Sequence, residues 1–160
     1  MYKRQGFVKA YDKIADETRE EINVGTEGDI KDQKAKYRMY DKTRIKKCMI
    51  KNERLKENDG KPFTWKIKPK ERIETKEGHL KKGTCVQVAA CMGFEEEHPE
   101  THIAIGIIDE DGEETYIENG VNLVSHLKVK KDGRYRVFLE NLGAKKAIAG
   151  GHYMVITEEE

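Results

Sequence analysis

From Phe63 to Thr157 the chain alternates apolar and polar residues with a period of two, and the alternation breaks at turn-forming pairs. Successive side chains of a strand point to opposite faces, so this period suits a strand with one buried face and cannot lay a stripe along a helix. Phe63, Trp65 and Ile67 alternate with Thr64, Lys66 and Lys68, and Arg72–Lys76 adds a short strand. Val86, Val88, Ala90, Met92 and Phe94 share one face. The opposite face, Cys85, Gln87, Ala89 and Cys91, is small and hardly polar, which predicts a central strand. Ile103, Ile105 and Ile107 oppose His102, Ala104 and Gly106, and Asp111-Gly112 predicts a type I′ hairpin with Thr115–Glu118 pairing back. Leu123, Ser125, Leu127 and Val129 form the next alternation. Beyond Asp132-Gly133, Tyr135, Val137 and Leu139 follow, and Lys146–Thr157 closes the series. Seven or eight short strands in about 100 residues predict a mainly β fold, an antiparallel β-sandwich over residues 61–160.

The first 60 residues differ in character. They hold 16 Lys/Arg against 12 Asp/Glu, a net of +4, while residues 61–160 hold 15 against 18, a net of −3; together these make the +1 of the whole chain. Phe7, Tyr11, Ile14, Ala15, Thr18 and Ile22 recur at three- and four-residue steps, the stripe of an amphipathic helix ended by Gly25 and Gly28. A second, weaker helical pattern runs from Ile30 to Lys56, where 11 basic residues meet only Asp32, Asp41 and Glu53. The expectation is therefore a basic helical segment or linker over 1–60, with a boundary at the turn-forming cluster from Glu57 to Pro62. The basic residues spread around the expected helix and no nucleic-acid motif accompanies them, which disfavours nucleic acid as a partner. No window approaches 18 consecutive apolar residues, so any link to a membrane is expected only through a segment upstream. Tyr2-Lys3-Arg4-Gln5 resembles a translated sequencing adapter, so residues 1–5 are set aside as a scar and the chain is read as a fragment.

Candidate chemistry is sparse. Cys48, Cys85 and Cys91 are odd in number, and Cys85 and Cys91 stand about 20 Å apart along one strand, beyond disulfide reach. Reduced thiols are expected. Glu95, Glu97 and Glu100 surround His98 and His102, side chains that zinc accepts. Pro99 interrupts the helix on which two histidines four apart would converge, which favours a solvated acidic loop. Asp109, Asp111 and Glu113 resemble a calcium loop in composition but lack its twelve-residue spacing. No cofactor is required, and calcium or zinc is the metal these loops would suit. His126 and His152 are expected at the surface or hydrogen-bonded. Trp65 is expected in the core, and Tyr116 is a candidate aromatic contact. No nucleophile motif is present, so no catalytic residue is assigned.

Particular turn and core residues carry a resemblance. They are Phe63-Thr64, Leu80 with Gly83, Val86 and Val88, and Ile105-Gly106-Ile107-Ile108. Asp111-Gly112 with Tyr116, Gly120, Val129 with Gly133, Tyr135 and Val137, and Glu140-Asn141 continue the series. In this order they resemble the C-terminal β-sandwich accessory domain of clostridial BlaR-type membrane metallopeptidases. They are similar in outline to pre-peptidase accessory domains. The chain has no His-Glu-x-x-His, so the peptidase zinc site of such proteins lies elsewhere. The resemblance implies a non-catalytic accessory or sensing module, extracytoplasmic or at the cell surface within a larger bacterial protein. Such a module binds a ligand or partner domain, with Glu95, Glu97, Glu100, Asp109, Asp111, Glu113 and Tyr116 as candidate contacts. Two alternatives stand beside it. One is a metal-binding domain on His98 and His102. The other is a soluble adaptor, cytoplasmic if Met1 is the true start, whose basic helix binds nucleic acid or acidic protein.

Overall fold

Period-two runs become strands wherever the structure describes them. The computed structural model describes residues 32–56, 60–93, 102–120 and 122–157. Among these residues the chain forms β1 (Lys36–Met39), β2 (Lys47–Arg54), β3 (Phe63–Ile67), β4 (Glu71–Lys76), β5 (Gly78–Leu80) and β6 (Cys85–Gly93). It continues as β7 (Ile103–Asp109), β8 (Glu113–Asn119), β9 (Asn122–Lys128), β10 (Gly133–Asn141) and β11 (Ala147–Ile156). A seven-stranded sheet runs β1-β8-β7-β10-β4-β2, with β5 also paired to β10, and a four-stranded sheet runs β3-β11-β6-β9. Pairing is antiparallel except between β2 and β4, which run parallel.

The apolar sets named from the sequence meet between the sheets. Ile103, Ile105, Ile107, Val137 and Leu139 of the large sheet join one core with Trp65, Val88, Met92, Leu127 and Tyr153. Burying each such side chain stabilises the fold by about 1.5–3 kcal/mol relative to leaving it in water. Trp65 belongs to this core and stacks on Phe63 with ring centres 4.2 Å apart. β6 is central, between β11 and β9, as its two apolar faces require.

Two expectations are corrected. The helix expected from Ile30 to Lys56 is not formed where the chain is described, since residues 36–39 and 47–54 are strands. Both lie at ends of the large sheet and bury every second residue only partly, so the strand period is faint there and their many lysines obscure it. The boundary expected near residue 60 falls between β2 and β3, and residues before it pair with strands after it. The earlier helix, with its stripe from Phe7 to Ile22, lies outside the described residues. The hairpin at Asp111-Gly112 is also not type I′. β7 ends at Asp109 and β8 begins at Glu113, which leaves a three-residue loop, 110–112, and only Gly112 of that loop has positive φ, at 87°. A type I turn closed by a left-handed glycine meets this length, whereas type I′ needs positive φ at both central residues.

One connection shapes the large sheet. β1 and β2 end its strand order, so a flat sheet would hold them roughly 24 Å apart. The link is seven residues, Tyr40–Lys46, whose full extension would span about 26 Å. It is not extended: Arg44 N–H donates to Asp41 C=O and Ile45 N–H to Lys42 C=O, forming a turn. The sheet must therefore curl so that its two ends approach, and the link crosses its outward face.

Candidate functional site

Strand register lays out that outward face as a grid. Arg38 stands beside Glu114. In the next row Tyr116, Gly106, Phe138 and Glu74 follow one another across β8, β7, β10 and β4, and in the row beyond, Ala104, Glu140 and Arg72 do the same. Gly106 lets β7 and β8 close up. A Cβ there would lie 2.2 Å from Thr115 C=O and 2.6 Å from Tyr116 Cβ, so only glycine fits without movement. The row neighbours Tyr116 and Phe138 each carry a guanidinium over the ring, Arg38 at 4.1 Å from the Tyr116 centroid and Arg72 at 3.7 Å from that of Phe138.

Three arginines and three glutamates converge here. Arg38 Nε donates to Glu114 Oε1 at 2.5 Å and its Nη2 to Glu140 Oε1 at 3.1 Å. Arg44, from the crossing link, reaches Glu140 Oε2 at 3.0 Å and Glu114 Oε1 at 3.4 Å. Arg72 Nη2 lies 2.6 Å from Glu114 Oε2, an ionic contact poorly aligned for a hydrogen bond, and its Nε lies 3.5 Å from Glu74 Oε2. The side chains of Arg72 and Glu114 are wholly buried, and Glu140 is 1% exposed. Charges this deep persist only when paired, and each of Glu114 and Glu140 faces all three arginines. Each of their four carboxylate oxygens is ion-paired to a guanidinium, so the cluster is a clamp that ties β1 and the crossing link to β8, β10 and β4. Sequence reading did not single out these six residues as a site; Glu140 entered only among the residues of the resemblance. One signal was available: Ala104, Phe138 and Ile108 share their strand faces with Glu140 and Glu114, and apolar residues on a supposed solvent face imply a cover.

The acidic hairpin is organised differently. Asp109 Oδ1 accepts hydrogen bonds from the backbone N–H groups of Asp111 and Glu113, both at 2.9 Å. Lys131 Nζ lies 2.6 Å from Asp111, 3.4 Å from Asp109 and 4.0 Å from Glu113. The three carboxylates expected to suit calcium thus gather around an ammonium ion. Hydrogen bonding to Asp111, against some desolvation, holds Lys131 above the usual lysine range. Tyr135 OH donates to the Lys131 carbonyl at 2.7 Å and fixes its backbone. Among the described residues no three His, Cys, Asp or Glu side chains are placed to hold a metal ion.

The other expected site residues are scattered. His102 Nε2 is 3.8 Å from Glu118, which Lys36 already engages at 2.7 Å. Tyr116 is buried under Arg38. His98, Glu95, Glu97 and Glu100 lie outside the described residues. His126 Nδ1 is 2.5 Å from Asp32 Oδ2. His152, expected at the surface or hydrogen-bonded, is wholly buried, and that burial pushes its pKa down to about 4. The three cysteines are free. Burial pushes the Cys91 thiol up to about 12; partial burial and then Glu74 push Cys48 up to about 11, although Cys48 lies at the exposed end of the sheet.

No family model matches the chain, and no curated protein does. Solved structures are similar to it, among them the following two. The pre-peptidase C-terminal domain of collagenase from Bacillus anthracis is 9% identical with a TM-score of 0.45, over 66% of this chain and 94% of that one. PliG of Aeromonas hydrophila, a periplasmic inhibitor of g-type lysozyme, is 10% identical with a TM-score of 0.38, over 68% of this chain and 98% of that one.

Proposed function

We propose that this chain is a non-catalytic accessory module that works by binding another protein domain or an extracellular ligand. The fate of its charges carries the reading. Glu114 and Glu140 close on Arg38, Arg44 and Arg72, and Asp109 and Asp111 close on Lys131. The carboxylates gathered among the described residues are thus occupied in holding strands and turns. Tyr37, Met39 and Ile50 stay open, each more than half exposed, on the two end strands of the large sheet. Open strand ends with exposed apolar side chains are contact surfaces. Asp111 and Glu113 are the exposed part of the acidic hairpin, at 66% and 64%. The likeness of the turn and core residues to exported accessory domains supports a position outside the cytoplasm within a longer protein. No helix of the described residues is long and apolar enough to cross a membrane.

The test is a paired assay on the full chain. Biolayer interferometry against cell-wall polymers and against domains encoded in the same reading frame is expected to give saturable binding. Reporter esters, peptides and glycosides are expected to remain intact. Turnover of any of them that disappears with Glu140→Gln would replace the reading with an enzymatic one.

A second reading rests on a separate observation. Three free thiols, one of them on an exposed strand, suit a reducing compartment. In that reading the module is an intracellular adaptor, and labelling by a membrane-impermeant thiol reagent on intact cells decides between the two.

A further inference from the structure

The four-stranded sheet has an outward face of its own, and the middle of that face is shielded from water. β6 turns Val86, Val88, Ala90 and Met92 into the core, so Gln87, Ala89 and Cys91 point outward. Register places His126, Val124 and Asn122 of β9 beside them on one side, and Met154, His152 and Gly150 of β11 on the other. Ala89 and His152 are 0% exposed and Cys91 is 1% exposed, whereas Thr64, Lys66, His126 and Lys128 at the rim are open to solvent. The strands among the described residues form two sheets around a shared core, so no described strand lies over this face. A sheet face is withdrawn from water only under a further layer of the fold.

The described chain begins at the edge of this same face. Asp32 pairs with His126, Gln33 N–H donates to Val124 C=O at 2.7 Å, and Gln33 Nε2 donates to Asn122 C=O at 2.9 Å. One strand across and two residues along, Ala89 lies roughly 8 Å from His126. The sequence ahead of Asp32 carries the stripe Phe7, Tyr11, Ile14, Ala15, Thr18 and Ile22, which needs an apolar surface to lie on. Residues 6–31 also hold seven Asp/Glu against four Lys/Arg, opposite in sign to Lys66 and Lys128 at the rim. We propose that residues 6–31 are the missing layer, with the Phe7–Ile22 stripe seated on Ala89, Cys91 and His152. As a helix the stripe is about 23 Å long, within the roughly 27 Å of β6. The ten steps from Ile22 to Asp32 span up to about 33 Å, so the connection reaches. Ala89, Cys91 and Gly150 are small and leave room for the larger side chains of the stripe. The assignment is independent of the binding-module reading.

The test uses the full chain. Labelling of Cys91 by N-ethylmaleimide, read by peptide mass, is expected to be slow in the wild type and at least about tenfold faster in Ile14→Asp with Ile22→Asp. Unchanged Trp65 emission shows that the sandwich of this variant is folded. In the opposite direction, Ala89→Arg is expected to speed trypsin cleavage at Lys13 and Arg19 at least about tenfold. Nuclear Overhauser contacts from the Ala89 methyl to Ile14 or Ile22 are expected in the wild type, and they decide the matter if a variant fails to fold. Cys91 labelling that stays slow in the folded stripe variant overturns the proposal, as do Ala89 contacts to residues 94–101 in place of the stripe. A wild-type dimer that Ala89→Arg makes monomeric overturns it in favour of a second copy of this chain.

Discussion

His152 and Gly106 show how much a single position is asked to do. Burial holds the His152 imidazole neutral down to about 4, while the unfolded chain protonates it near 6.5. Between these values the unfolded state binds the extra proton, so stability is complete above pH 6.5 and falls as the pH drops towards 4. The full shift corresponds to at most about 3 kcal/mol. Urea unfolding between pH 7 and 5 is expected to show this loss, and His152→Met is expected to flatten it; an unchanged slope would remove His152 as the cause. At Gly106 the added methyl of alanine would meet Thr115 C=O at 2.2 Å, backbone that cannot rotate away. Gly106→Ala is expected to cost about 3 kcal/mol in urea unfolding, the upper part of the range for overpacking. A loss below 1 kcal/mol would mean that β7 and β8 separate easily. The sequence marked both positions, one as a histidine in the last strand and one as a glycine in an isoleucine run. It could not mark their burial, since the outward faces of their strands look open when read alone.

At the scale of elements, the arginine–glutamate clamp explains why β1 and the crossing link stay on the large sheet. β1 is only four residues long and pairs with β8 alone, and Arg38 adds ion pairs to Glu114 and Glu140. Glu114→Ala leaves Arg72 buried without its nearest carboxylate, and removing one partner of a buried pair costs about 3–5 kcal/mol. The expected sign of this loss is increased cleavage by trypsin at Arg44 and Lys46 under native conditions, together with a lower urea midpoint. Arg72→Met combined with Glu114→Gln removes one charge of each sign, with Arg38 and Arg44 still on Glu140 and Glu74 still beside Arg136. That pair of changes is expected to recover more than half of the single-variant loss. Additive losses would show that the ionic contacts are not coupled. The helix expected here illustrates the limits of local pattern. Ala35, Met39, Ile45 and Met49 fall on one face of the expected helix, and the strands prevail because β4 and β8 offer backbone partners.

Across the whole molecule, the two sheets share one core, so they should unfold together. Trp65 is the only tryptophan and sits in the four-stranded sheet, while most strands lie in the other. Tryptophan emission and far-ultraviolet circular dichroism are expected to give superimposable urea curves. Separate midpoints would mean that the large sheet, with its clamp, survives alone. Most strands from Phe63 onward could be read from period and turns, seven or eight expected against the nine from β3 to β11, because a strand with one buried face writes its own alternation into the sequence. The acidic hairpin was legible as a turn, and its carboxylates as a cluster. What that cluster holds was not, since Lys131 comes from a different connection. The same holds for the clamp. Arg38 meets Glu114 across 76 positions of chain and Glu140 across 102. The sequence alone determined which faces turn inward, because that pattern is local and repeats every two residues. Only the tertiary structure decided which outward faces are covered, because the cover is a distant segment crossing a curled sheet, and no local period records it.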